Sequence, residues 1–150
     1  MEIKGISLAE AALVSGLFDL YRQFYKQPSD PALAERFIRE RLAKNESVIF
    51  VALINDQPAG FTQLYPKYSS VRASKNWILN DLYVDNDHRK RGIGEALIRA
   101  AMDFAKGEGS TFVQLETAVD NYTAQRLYEA IGFERQEPET EFLVYRIKLI

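Results

Sequence analysis

The stretch SVIFVALI, Ser47 to Ile54, is apolar at almost every position and not at every second one. A strand with one wet face alternates between apolar and polar residues. A strand that does not alternate is covered on both faces. This run therefore predicts a sheet held between helical layers. Asn55-Asp56 then begins a turn, and Ala59 to Tyr65 returns as an antiparallel partner.

The flanking periodicities supply the layers. Glu2 to Ser7 reads as a short first strand. Leu13/Val14, Leu17/Phe18, Tyr21 and Phe24/Tyr25 recur at three and four and make an amphipathic helix, broken by Pro28 and Pro31. Asp30 fits an N-cap with Pro31 at the first helical position. Leu33, Phe37/Ile38 and Leu42 then mark a second helix ending near Lys44. Lys67 to Lys75 is polar and reads as a loop or frayed hairpin end, and Trp77 to Val84 as the next strand. A helix carries Ile93, Leu97, Ala100 and Phe104 and stops at Gly107 and Gly109. Phe112 to Ala118 alternates as a strand. Asn121 to Ile131 forms a fourth helix closed by Gly132, and Phe133 to Arg135 and Phe142 to Leu149 read as final strands. The order βααβββαβαββ mixes hairpins with two crossover helices. It predicts an α/β protein with a mixed sheet and helices on both faces.

Composition narrows the chemistry. A length of 150 residues suits a single domain, 1–150. There is no cysteine, which excludes thiolate catalysis and disulfides, and His88 is the only histidine, so no metal site is expected. The net charge of −2 gives no global attraction to nucleic acid. Met1 to Leu20 carries Glu2, Glu10 and Asp19 and does not read as a signal peptide. No apolar run approaches the roughly 18 residues of a membrane span. A cytoplasmic protein without a membrane or nucleic-acid partner is the expectation.

Against that acidic background, DHRKRGIGEAL places Arg89, Lys90 and Arg91 directly before Gly92 and Gly94, at a helix start. The first turn of a helix leaves backbone N–H groups unpaired, and the macrodipole adds positive charge there. Glycines let a bulky anion approach that backbone. The stretch is neither a Walker A loop, since Gly-Lys-Ser/Thr is absent, nor a dinucleotide fingerprint, since Leu97 stands where a third small residue belongs.

Arg89 to Gly94 spells R-x-x-G-x-G after the strand WILNDLYV, and NYTAQRLYEAIGF follows one helix and one strand later. Together these motifs resemble the GNAT superfamily of N-acetyltransferases, over about residues 2 to 148. The resemblance implies the acyl-CoA N-acyltransferase fold, acetyl-CoA as co-substrate and transfer of its acetyl group to a primary amine. It implies that the amides of Lys90, Arg91, Gly92, Ile93, Gly94 and Glu95 hold the pyrophosphate, with the side chains of Arg89, Lys90 and Arg91 adding charge near it. By the same resemblance the backbone of Leu82, Tyr83 and Val84 meets the pantetheine arm and the thioester carbonyl, and Asn121 reaches the pantetheine. Tyr128 is the implied general acid; a phenol titrates near pH ~10 and can protonate a departing thiolate.

For the base, related diamine acetyltransferases carry Glu-Asp in the strand, and here Asn80-Asp81 stands instead. An amide cannot act as a base. Asp81 is the candidate, with Glu116 and Asp120 as alternatives. Tyr21, Phe24, Tyr25, Trp77 and Tyr145 are candidate walls of the acceptor pocket. The resemblance also implies a homodimer, with EFLVYRIKLI as a strand available for pairing. The competing expectation is a non-catalytic acyl-CoA sensor of the same fold.

Overall fold

The computed structural model describes all residues, Met1–Ile150. It divides into two compact units, Met1–Glu116 and Thr117–Ile150. No helix is long and apolar enough to cross a membrane.

The first unit is built on a sheet of five strands in the order β1 (Glu2–Gly5), β2 (Val48–Ile54), β3 (Gln57–Ser69), β4 (Ser74–Val84) and β5 (Val113–Gln114). The first three pairings are antiparallel, and β4 with β5 is parallel. The continuous apolar run of β2 is covered on both faces, as its lack of alternation requires. Helices α1 (Ala12–Phe24) and α2 (Pro31–Ala43) bury Val14, Leu17, Phe18, Ala34 and Ile38 against Ile49, Val51, Leu53 and Phe61. On the opposite face α3 (Ile93–Gly107) buries Ile93 and Leu97 against Ala52 and Ala59. Each such large side chain contributes about 1.5–3 kcal/mol when fully buried.

Local chemistry sets the helix limits. The Asp30 carboxylate accepts from the Leu33 N–H at 3.2 Å, with Pro31 in the first turn. Asp19, buried near the end of α1, ties the two helices together. Its carboxylate accepts from the Ser29 hydroxyl at 2.7 Å, the Asp30 N–H at 2.8 Å and Gln23 at 3.0 Å. The Ser29 and Asp30 hydrogen bonds hold this carboxyl below its ordinary pKa.

Gly60 allows α3 to lie close on β3. A Cβ there would stand 2.9 Å from the Tyr83 carbonyl oxygen and 3.3 Å from both Ile93 and Leu97. The Tyr83 oxygen belongs to the paired backbone of β4 and cannot retreat cheaply. Gly60→Ala is therefore expected to cost about 1–3 kcal/mol. Thermal melting should read this as a fall of roughly 3–10 °C.

The hairpin is longer than its composition suggests. β3 continues to Ser69 and β4 resumes at Ser74, so Lys67 to Lys75 is mostly strand. Lys75 reaches back over the Tyr68 and Trp77 rings, and paired backbone carries this polar segment.

In the second unit, α4 (Tyr122–Ile131) is capped by Asn121, whose side-chain oxygen accepts from the Ala124 N–H at 3.2 Å. Gly132 closes it at φ 123°.

Three expected strands are corrected. Phe112 to Ala118 is strand only at Val113–Gln114, and neither Phe133 to Arg135 nor Phe142 to Leu149 forms one. A strand needs a partner for its N–H and C=O groups, and a pattern of side chains cannot replace it. The apolar side chains of residues 142–150 lie exposed.

Candidate active site

Strand β4 gathers the candidate groups of the first unit, and a β-bulge decides where they point. Gln63 of β3 pairs with Asp81, but the next residue, Leu64, pairs with Leu79. Asn80 is the extra residue, and it reverses the alternation of β4. Asp81 and Tyr83 thus lie opposite Gln63 and Phe61, and Tyr83 packs on the core under α1 and α2. Below the bulge, Trp77 lies opposite Pro66, and its ring meets Phe104 of α3 at 5.1 Å. Trp77 is therefore core on the α3 side and not a wall of an acceptor pocket.

The same strand has an open edge. β5 pairs with β4 only at Trp77 and Ile78 and then stops. From Leu79 to Val84, including Leu82, Tyr83 and Val84, β4 is bonded to β3 on one side and has no strand on the other. Backbone groups on such an edge can pair with an extended ligand.

The chain leaves that edge through Asn86–His88 and enters α3 at Gly92, with Lys90 at φ 64° and Gly92 at φ 78°. Gly92 is the N-cap and brings no capping side chain. The first helical bond runs from the Ala96 N–H to the Gly92 carbonyl. The amides of Ile93, Gly94 and Glu95 precede it and have no intrahelical acceptor. No atom lies within 4 Å of where a Gly92 Cβ would be. These features fit a diphosphate. Arg89 is exposed but anchored: its Nε donates to the Val84 carbonyl at 3.0 Å, and its guanidinium lies over the Tyr83 ring. Lys90 and Arg91 are exposed beside the helix start.

Asp81 is 4% exposed and makes no ion pair. One oxygen accepts from Gln63 Nε2 at 2.5 Å and the other from Asn80 Nδ2 at 3.0 Å. Tyr21 of α1 and Tyr65 of β3 face it. Burial first, then the charge of Asp81, raises both phenols: Tyr65 to about 12, and Tyr21 well above its ordinary value. Both stay neutral around a buried carboxylate. The Tyr21 ring packs edge-on against Tyr25, Phe61 and Tyr83, making an aromatic wall beside that group. Of the alternative bases, Glu116 and Asp120 are exposed.

Asn121 and Tyr128 belong to the second unit. The Asn121 side chain serves its own helix as N-cap, and Tyr128 is half-buried with its ring 6.0 Å from that of Phe133. Tyr145 lies exposed. Gln63, Tyr65 and Ser47 were not singled out by the sequence. Their one signal is the polar pair Thr62-Gln63 set between Phe61 and Leu64, and it does not reveal the partner.

Known proteins resemble this chain in sequence and in fold. Residues 14–133 match the model of the acetyltransferase (GNAT) family. The chain is 42% identical to the uncharacterized N-acetyltransferase YhfO of Bacillus subtilis (strain 168), over 97% of this chain and 95% of that protein. It is 33% identical to a "probable acetyltransferase" of Haemophilus influenzae, over 84% and 85% of the two chains. Among solved structures, the crystal structure of a "probable acetyltransferase" superposes with a TM-score of 0.87 at 36% identity, covering 99% and 98%. The aminoglycoside N-acetyltransferase AAC(6')-Iy, solved in complex with CoA, shares the fold with a TM-score of 0.79 at 20% identity, covering 99% and 95%.

Proposed function

Because the chain belongs to the GNAT acetyltransferase family and is an acetyltransferase, we propose that it moves the acetyl group of acetyl-CoA to a primary amine by direct attack, with both substrates bound. The observation that carries this reading is the pairing of an open β4 edge with the uncapped start of α3. The amides of Gly92 to Glu95 hold the diphosphate, with Lys90 and Arg91 adding charge at its rim. Arg89 acts mainly as a strut that fixes Val84. The β4 backbone from Leu82 to Val84 aligns the pantetheine arm, and an N–H there polarises the thioester carbonyl. Asn121, engaged as a cap, serves the cofactor by setting the start of α4.

Acetyl-CoA supplies an activated acyl group, and the chain moves the protons. The amine nitrogen forms the new C–N bond as the C–S bond breaks. Asp81 takes the proton that the amine loses, and Tyr128 gives one to the thiolate. We include both units in one catalytic domain, since the family match, residues 14–133, runs from the first into the second. Small amines are the proposed acceptors; the CoA-bound neighbour acts on aminoglycosides. A cytoplasmic location belongs to the same proposal, as a cysteine-free chain needs no oxidising compartment.

The test is CoA thiol release from acetyl-CoA with polyamines, amino acids, aminoglycosides and a lysine peptide. Release above the amine-free background is expected, lowered roughly ten- to a thousandfold in Tyr128→Phe. Acetyl-CoA binding without release for any amine would remove the reading. A homodimer is proposed as well, because residues 142–150 expose Phe142, Leu143, Val144, Tyr145, Ile147 and Leu149. Light scattering should give twice the chain mass, and a monomer would dismiss it.

A further inference from the structure

Three side chains on three neighbouring segments form one buried hydrogen-bonded chain. The Ser47 hydroxyl, just before β2, donates to Gln63 Oε1 at 2.7 Å. Gln63 Nε2, on β3, donates to Asp81 Oδ2 on β4 at 2.5 Å. Gln63 is fully buried and Ser47 nearly so. A glutamine amide is ambiguous by itself, because its two ends are nearly the same size and can exchange by rotation. Here both ends are specified. A carboxylate has no hydrogen to donate, so it calls for the NH₂ end, and Ser47 supplies the hydrogen that the carbonyl end then needs. The alternative orientation would set the amide oxygen against a carboxylate oxygen.

We propose that Gln63 and Ser47 are positioning residues for the acetyl-transfer reaction: they lock the Asp81 carboxylate, as a proton acceptor, at one orientation beside the open edge of β4. This rests on the role proposed above for Asp81. An apolar core would fill the same volume without any buried polar group, and each such group is costly unless satisfied. The chain nonetheless places a serine and a glutamine there, both bonded, and they end on the one buried carboxylate facing the tyrosine wall. Gln63 does not conduct protons, since its amide does not titrate in this range. Its work is geometric: it occupies one side of Oδ2 and fixes the carboxylate plane, while Asn80 fixes Oδ1.

The experiment compares Gln63→Leu, Ser47→Ala and Ser47→Thr with the parent enzyme. It measures kcat and KM for the amine that gives release, the acetyl-CoA Kd and the melting temperature. Gln63→Leu is expected to lower kcat roughly ten- to a hundredfold, with the acetyl-CoA Kd changed less than about twofold. Ser47→Ala should lose less, and Ser47→Thr, which keeps the hydroxyl, should recover most of that loss. Parent-like kcat in Gln63→Leu overturns the proposal and leaves the acetyltransferase reading intact. Equal loss of kcat and acetyl-CoA binding, together with a lowered melting temperature, also overturns it, because a general packing defect then accounts for the effect. A parent enzyme that releases no thiol with any amine would remove both readings at once.

Discussion

Gly92→Glu abolishes acetyl-CoA binding as the expected result, with calorimetry returning no saturable heat where the parent binds. Two effects act at this position. The first is backbone strain: Gly92 sits at φ 78°, where a side chain costs about 1–2 kcal/mol. That cost falls on folding and lowers the melting temperature by several degrees. The second is repulsion. A carboxylate about 4 Å from a diphosphate charge costs about 4 kcal/mol at an effective dielectric of 20, which is roughly a thousandfold in Kd. The side chain also enters the open space beside the helix start. Repulsion therefore dominates, and binding is lost from a folded protein. Gly92→Ala separates the two effects: it carries the strain without the charge, so it should melt lower yet bind acetyl-CoA within about tenfold of the parent. Binding by Gly92→Glu with near-parent affinity would mean that the start of α3 is not the diphosphate cradle.

The second large effect is expected for Asp81→Asn. The shapes match, so the core under α1 is kept. The variant cannot accept a proton, and general-base catalysis contributes typically 10²–10⁴-fold. It also disturbs the local pattern: the two carboxylate oxygens now accept from Gln63 and Asn80, and an amide offers only one oxygen. One donor must turn or lose its partner, at about 1–3 kcal/mol. The kinetic loss outweighs the structural one if Asp81 is the base. A fall of a hundredfold or more in kcat/KM for the amine is expected, with acetyl-CoA affinity unchanged. Retention of activity would transfer the base to Glu116, Asp120 or solvent.

Much of this arrangement was legible because local rules fix it. Asp30-Pro31 announces the start of α2 in two adjacent residues. The periodic apolar positions of α1 and α3 identify the buried sides, and the glycine loop together with NYTAQRLYEAIGF points to the family. Other features depend on residues far apart. Strict alternation along β4 would put Trp77 and Asp81 on one face, and the bulge at Asn80 sends them to opposite faces. That one-residue shift depends on the pairing of β3 with β4 and leaves no mark in the composition of WILNDLYV. The Ser47–Gln63–Asp81 chain is hidden for the same reason, since cross-strand register brings together residues 16 and 18 positions apart. The final strands fail differently. FLVYRIKLI has the residues of a strand, but a strand is a pairing, and the chain leaves this segment unpaired.

The regions proposed for the amine and for the cofactor rest on different cores of the sheet. The core beneath α1 and α2, which surrounds Asp81 and the tyrosines, shares none of its buried residues with the core beneath α3, which carries the glycine loop. One side chain crosses between them: Arg89 of the glycine loop holds the Val84 carbonyl and lies over the Tyr83 ring of the aromatic wall. Under the proposed roles, core changes under α1 and α2 alter the choice of amine while the packing of α3 under the cradle stays as it is, so amine preference can drift while the acyl donor is kept.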